Sequence, residues 1–124
     1  MYSLRYLSTV FCVSVVLTVS GCASTSKPAV PEDFSTAMAE SSASADSLLE
    51  KGNREDAVKL VSDFDKKYPE RKDPWVRLAK IHFDGENYAQ AIVAAEEALQ
   101  RDRTDRTAKS IRAVGGLRVA AQSL

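Results

Sequence analysis

Between Lys72 and Asp105 the apolar and small residues recur at helical spacing. Trp75, Leu78, Ala79 and His82 stand at i, i+3, i+4 and i+7, and after a Gly-Glu-Asn break Ala91, Ile92, Ala95, Ala98 and Leu99 repeat the pattern. Two helices joined by a tight turn follow from this, a helical hairpin. A single shift of 34 residues then lays Ala45 on Ala79, Leu48 on His82, Leu49 on Phe83, Asn53 on Asn87, Ala57 on Ala91, Val58 on Ile92 and Val61 on Ala95. Most of these matches are small or apolar at one helical phase, so a second hairpin precedes the first. Upstream, Phe34, Ala37, Met38, Ala45, Leu48 and Leu49 keep the same spacing and lengthen its first helix. Downstream, Ala108, Ile111, Val114, Leu117 and Ala121 form one side of a closing helix whose other sides carry Lys109, Arg112 and Arg118. The pattern predicts an all-α fold with helices near 33–51, 54–67, 74–84, 88–101 and 107–122.

Local signals agree with these limits. Asp73-Pro74 reads as an N-cap acceptor followed by proline at the first helical position. Asn87 with Gln90 three residues on reads as a capping box, and Gly52 and Gly85 stand where the first helix of each hairpin must end. Gly115-Gly116 inside the last helix costs about 1 kcal/mol per glycine relative to alanine, which points to a kink, a close helix contact or a weak helix.

A 34-residue period of paired helices carrying these residues resembles the tetratricopeptide repeat. Trp75, Leu78 and Ala79 match its bulky, leucine and small positions on helix A. Tyr88, Ala91 and Ala98 match those of helix B, and His82 falls where the family often has tyrosine. The earlier unit keeps Ala45, Gly52, Ala57 and the closing Pro69, with Leu48 in the core, but has Ser41, Ser44 and Phe64 at three signature positions. The later unit has Arg103 in place of the closing proline and Ala95 in place of an aromatic. The resemblance implies an α-solenoid with units at about 38–71 and 72–105 and a closing helix at about 106–122. It also implies a concave groove on the helix A side, lined by Asp46, Leu49 and Glu50 from the first unit and by Val76, Lys80, Phe83 and Asp84 from the second, which receives a peptide or a partner helix. The lysine and asparagine arrangement with which the family clamps a terminal carboxylate is absent: Lys80 lacks its companions. Two units and one helix fall short of the roughly three repeats that independent stability calls for, so either the domain is marginal, or it pairs with a second copy of the chain, or it leans on a partner.

Composition changes this picture in two places. The 124 residues are 44% hydrophobic and 27% charged with zero formal charge, ordinary for one globular domain and without a global pull toward nucleic acid. The charge is unevenly placed, however: Glu32 to Asp65 carries nine acidic and three basic residues, and Arg101 to Leu124 six basic and two acidic. The plain reading is two solvated faces of opposite sign; the sharper one is a basic last helix that meets an acidic partner. The apolar count is also concentrated, because Leu7 to Val19 is mostly apolar and uncharged.

That stretch, preceded by Arg5 and followed by small residues, has the layout of a secretory signal peptide over residues 1–21 and is short for a membrane span, which needs about 20 apolar residues. Val19-Ser20-Gly21-Cys22 resembles the lipobox of bacterial lipoproteins. The resemblance implies that the Cys22 thiol takes a diacylglycerol group, that cleavage makes Cys22 the first mature residue, and that palmitate and related chains hold the protein on a membrane. Ala23 after the cysteine, in place of aspartate, points to the outer membrane and the periplasm. Residues 23–33, with two prolines among small polar residues, form a flexible tether. Cys12 and Cys22 both precede the folded part, so no disulfide braces it.

No catalytic constellation can be assembled from the remaining residues. The single histidine, His82, has a core phase, and without cysteine nearby no zinc site is expected. No phosphate loop occurs, and no metal or other cofactor is expected. The expectation is a membrane-anchored, non-enzymatic scaffold that binds a protein or peptide partner in the bacterial cell envelope, within an assembly or secretion complex. The competing expectation is an accessory subunit that recruits an envelope enzyme, such as one acting on peptidoglycan.

Overall fold

The computed structural model describes residues 33–124; the signal segment, Cys22 and nearly all of the tether lie outside the described residues. Among the described residues there are five helices and no strand: α1 (Phe34–Glu50), α2 (Arg54–Lys67), α3 (Asp73–Asp84), α4 (Tyr88–Arg101) and α5 (Arg106–Gln122). Each helix packs on the next, and α3 also touches α1 and α5, whereas the backbones of α2 and α4 do not come close. The odd helices therefore form one layer and the even helices the other, an arrangement compatible with an α-solenoid. No described helix is long and apolar enough to cross a membrane.

The two inter-helix turns repeat each other bond for bond. At the end of α1 the Gly52 N–H donates to Leu49 O at 3.0 Å and the Asn53 N–H to Leu48 O at 2.8 Å. Thirty-four residues later the Glu86 N–H donates to Phe83 O at 3.0 Å and the Asn87 N–H to His82 O at 2.9 Å. Both are Schellman turns, which satisfy the last carbonyls of the helix by turning one residue left-handed. That residue is Gly52 (φ 79°) in the first turn and Glu86 (φ 60°) in the second. Gly85, expected to fill this role, has φ −87°. It faces the flexible Arg54 side chain instead: a Cβ there would stand 2.7 Å from Nη1 of Arg54, whose guanidinium donates to Ile81 O at 2.6 Å and so binds the start of α2 to the end of α3.

The expected caps also differ in detail. Asn53 and Asn87 begin α2 and α4 at nearly the same dihedrals, but neither side chain makes a capping bond, so the capping box of Asn87 and Gln90 is not formed. Asp73 is the first helical residue and not the cap. The side-chain cap that is made belongs to α5, where the Asp105 carboxylate accepts the Ala108 N–H at 2.8 Å.

Alanine dominates the core. Ala45, Ala57, Ala79, Ala91, Ala95, Ala98 and Ala108 are fully buried, with Val61, Leu78, Ile81, Leu99 and Ile111 filling the spaces between. Short side chains let helix axes approach to about 8–10 Å. Phe64, which stands where the second unit has Ala98, stacks with Phe34 and Tyr68 (centroids 5.9 and 4.8 Å) and pins the start of α1 to the end of α2. The Arg71 guanidinium covers Phe34 at 3.9 Å.

The last helix is rotated from expectation. Ala108 and Ile111 are buried as expected, but the third buried residue is Gly115, whose missing Cβ would stand 3.0 Å from Cγ1 of Ile92. A glycine there lets α5 settle against α4, and the resulting face leaves Val114, Leu117 and Ala121 exposed. Gly116 meets nothing within 4 Å, and the helix runs unbroken through both glycines.

Candidate functional site

A cleft of about 300 Å³ opens on the layer formed by the odd helices. Met38 and Ser42 of α1 form one wall, Val76, Arg77 and Lys80 of α3 the other, and Lys72 with Asp105 closes the end near α5. Of the expected groove residues the structure brings Val76 and Lys80 into this cleft, and Asp46 stands at its edge, exposed and bonded to the Arg77 guanidinium. Glu50 and Asp84 are exposed at the far ends of α1 and α3. Leu49 and Phe83 instead pack against the core, and the Phe83 ring meets Tyr88 edge-on with centroids 5.3 Å apart.

The residues expected to form the repeat core divide in the same way. Ala45, Ala57, Leu78, Ala79, Ala91 and Ala98 are buried, while Leu48, Trp75, His82 and Tyr88 are half-buried.

Met38, Ser42, Lys72, Arg77 and Asp105 line the cleft without having been expected there. The 34-residue register contains the signal for one of them, since Ser42 is the counterpart of Val76. Arg77 and Asp105 carry no such mark, because their place depends on how α1 and α5 pack on α3.

The electrostatics of the cleft are mostly internal. Lys72 bonds Asp102 and also Asp105, at 2.9 Å, tying the start of α3 to the loop before α5. Hydrogen bonds donated to Asp102 and then to Asp105 hold the Lys72 ammonium well above its usual range. The same bond to Lys72, helped by Thr104, holds the Asp102 carboxyl well below its own. For Asp105 burial pushes the carboxyl up, but the Ala108 N–H and Lys72 outweigh it and the net shift is downward. Lys80, by contrast, is exposed and pairs with no carboxylate among the described residues. The cleft thus offers apolar side chains (Met38, Val76), one hydroxyl (Ser42) and one available cation (Lys80).

His82 is half-buried on α3. Burial first, and the nearby Arg54 charge second, lower its pKa below the ordinary 6.5, which keeps it neutral at physiological pH. Among the described residues no three His, Cys, Asp or Glu side chains are placed to hold a metal ion.

Comparison with family models, with curated proteins and with solved structures returns no match for this chain.

Proposed function

We propose that this chain is a tetratricopeptide-like scaffold lipoprotein, anchored through Cys22 in the bacterial cell envelope, whose helix A cleft holds an extended or helical segment of a partner protein. The observation that carries the reading is the cleft between α1 and α3, with Met38 and Val76 as its apolar side chains and Lys80 as its unpaired cation. The bond-for-bond repetition of the Gly52 and Glu86 turns at a 34-residue interval supports the repeat reading. The lipobox-like Val19-Ser20-Gly21-Cys22 supports the anchor. Anchoring and binding would be separate properties of separate residues: acyl chains give the address and the cleft gives the affinity.

Radiolabelled palmitate tests the anchor. It is expected to enter the native protein and to be lost, together with membrane fractionation, in Cys22→Ser. Unlabelled native protein that still fractionates with membranes would overturn the anchor. The cleft is tested separately by affinity purification from solubilised envelopes with native protein and with Val76→Asp/Lys80→Glu. A partner retained equally by both would overturn the binding reading without touching the anchor.

A further inference from the structure

The two ends of the helix stack are finished differently, and the difference defines a second binding surface. In the second hairpin α3 meets α4 at Trp75 and Phe83, with Ala79 buried and His82 half-buried on the same helix: Arg101 lies over the Trp75 ring at 5.1 Å and Phe83 stacks on Tyr88. Thirty-four residues on, the same positions of α5 are Lys109, Ala113, Gly116 and Leu117. All four are exposed, Leu117 by 71%. Among the described residues no helix packs on this side of α5 as α4 packs on α3.

Beside this face lies a measurable space. A cleft of about 440 Å³ runs between α4 and α5, lined by Glu96, Leu99, Gln100, Arg103, Lys109 and Arg112. One repeat earlier, the equivalents of Leu99, Arg103 and Lys109 are Asp65, Pro69 and Trp75. Those three receive one side chain, Arg101 of α4. Its Nε donates to Pro69 O at 2.8 Å, its charge acts on the Asp65 carboxyl, and its guanidinium covers Trp75. In the open cleft the receiving groups are reversed in sign. Where Arg101 finds an acid, a carbonyl and an indole, an incoming helix finds Leu99 and three cations, with Glu96 as the one acid in the lining.

We propose that this cleft receives an amphipathic helix of a partner protein, packed antiparallel to α5 as a third helix B and carrying a carboxylate where α4 carries Arg101. The inference is independent of the α1–α3 cleft. Charge chooses the occupant: Lys109, Arg112 and Arg103 would repel the same basic face of a second copy, and favour an acid over a base at that point. Ala113 and Gly116 supply the close approach, with open space in front of Gly116, and Leu117 supplies the apolar contact that Phe83 makes with Tyr88.

The test uses two labelled 14-residue peptides and the whole chain. One peptide has the α4 sequence Tyr88–Arg101, and the other differs only by Glu at the position of Arg101. Fluorescence anisotropy at low salt is expected to show the Glu peptide binding about tenfold more tightly, the preference shrinking as salt rises. In Lys109→Glu/Arg112→Glu the preference is expected to reverse, and in Leu117→Asp, an exposed position, both peptides are expected to weaken without loss of helicity. Equal affinity for the two peptides, or an unchanged preference in the charge-reversed protein, would overturn the proposal. So would Leu117-dependent dimerisation in sedimentation without peptide, or Leu117-dependent binding to phosphatidylglycerol vesicles, since each assigns the surface to another occupant.

Discussion

Helices α1, α3 and α5 occupy equivalent places in the stack, yet the residues on the side facing the preceding hairpin differ in kind. On α3 this side is Pro74 and Ile81, both buried, Ile81 to 1% exposure. On α5 it is Ala108 and Gly115, buried against α4. On α1 it is Glu40 and Ser47, both exposed. A polar face suits a helix side that no other described element covers, and α1 has one there. α5 does not provide one on its opposite side, where Leu117, Ala113 and Gly116 face outward. The two ends show that the same helix phase is written for core, for close contact or for water according to what lies beside it.

The largest break in this comparison is expected at Ile81. Ile81→Ala removes a side chain that fills the joint between the hairpins and is expected to cost about 2–5 kcal/mol in chemical denaturation. Ser47→Ala at the equivalent place on α1 is expected to stay within about 0.5 kcal/mol of native.

The glycine pair of α5 sharpens the contrast next. Gly116→Ala, in open space inside a helix, is expected to raise stability by about 1 kcal/mol. Gly115→Ala places its Cβ 3.0 Å from Ile92 and is expected to forfeit that gain, so the two melting curves separate.

The turns come third. Gly52→Ala forces a side chain into the left-handed region at a cost of about 1 kcal/mol, whereas Glu86→Gly relieves that strain and is expected to be neutral or to gain about 0.5 kcal/mol. Equal effects at the two turns would mean that their shared geometry is not maintained in solution.

The smallest effect is a titration. Because the folded pKa of His82 is depressed, its contribution to stability is full above about pH 6.5 and is lost as pH falls through the folded value. A shallow decline in stability below pH 6.5 is expected for the native chain and its absence in His82→Phe. The counterpart in the first hairpin, Leu48, contributes no such slope.

The five helices were legible because their periodicity spans whole turns, and the 34-residue register carried the hairpin pairing with it. What stayed hidden depended on packing between elements. Gly85 looked like a turn glycine because it sits one residue before the left-handed position; what it faces is Arg54, 31 residues earlier in the chain and invisible to local reading. Val114 and Leu117 share a helical side with Ile111 on a wheel, but the contact of Gly115 with Ile92 rotates α5 away from them. In the candidate cleft, Val76 and Lys80 followed from repeat phase, whereas Leu49 and Phe83 have that phase and are held by the core. Arg77 and Asp105 enter only through the tertiary arrangement of α1, α3 and α5.

The central claim is that binding resides in the α1–α3 cleft. A photo-crosslinking amino acid placed singly at Met38, at Lys80 and at Glu55 on the exposed side of α2 tests it most directly in intact cells. The account predicts one common envelope protein crosslinked from Met38 and Lys80 and not from Glu55. Crosslinks to that protein from Glu55 at equal yield, or adducts at Met38 and Lys80 that persist in Val76→Asp, would contradict it.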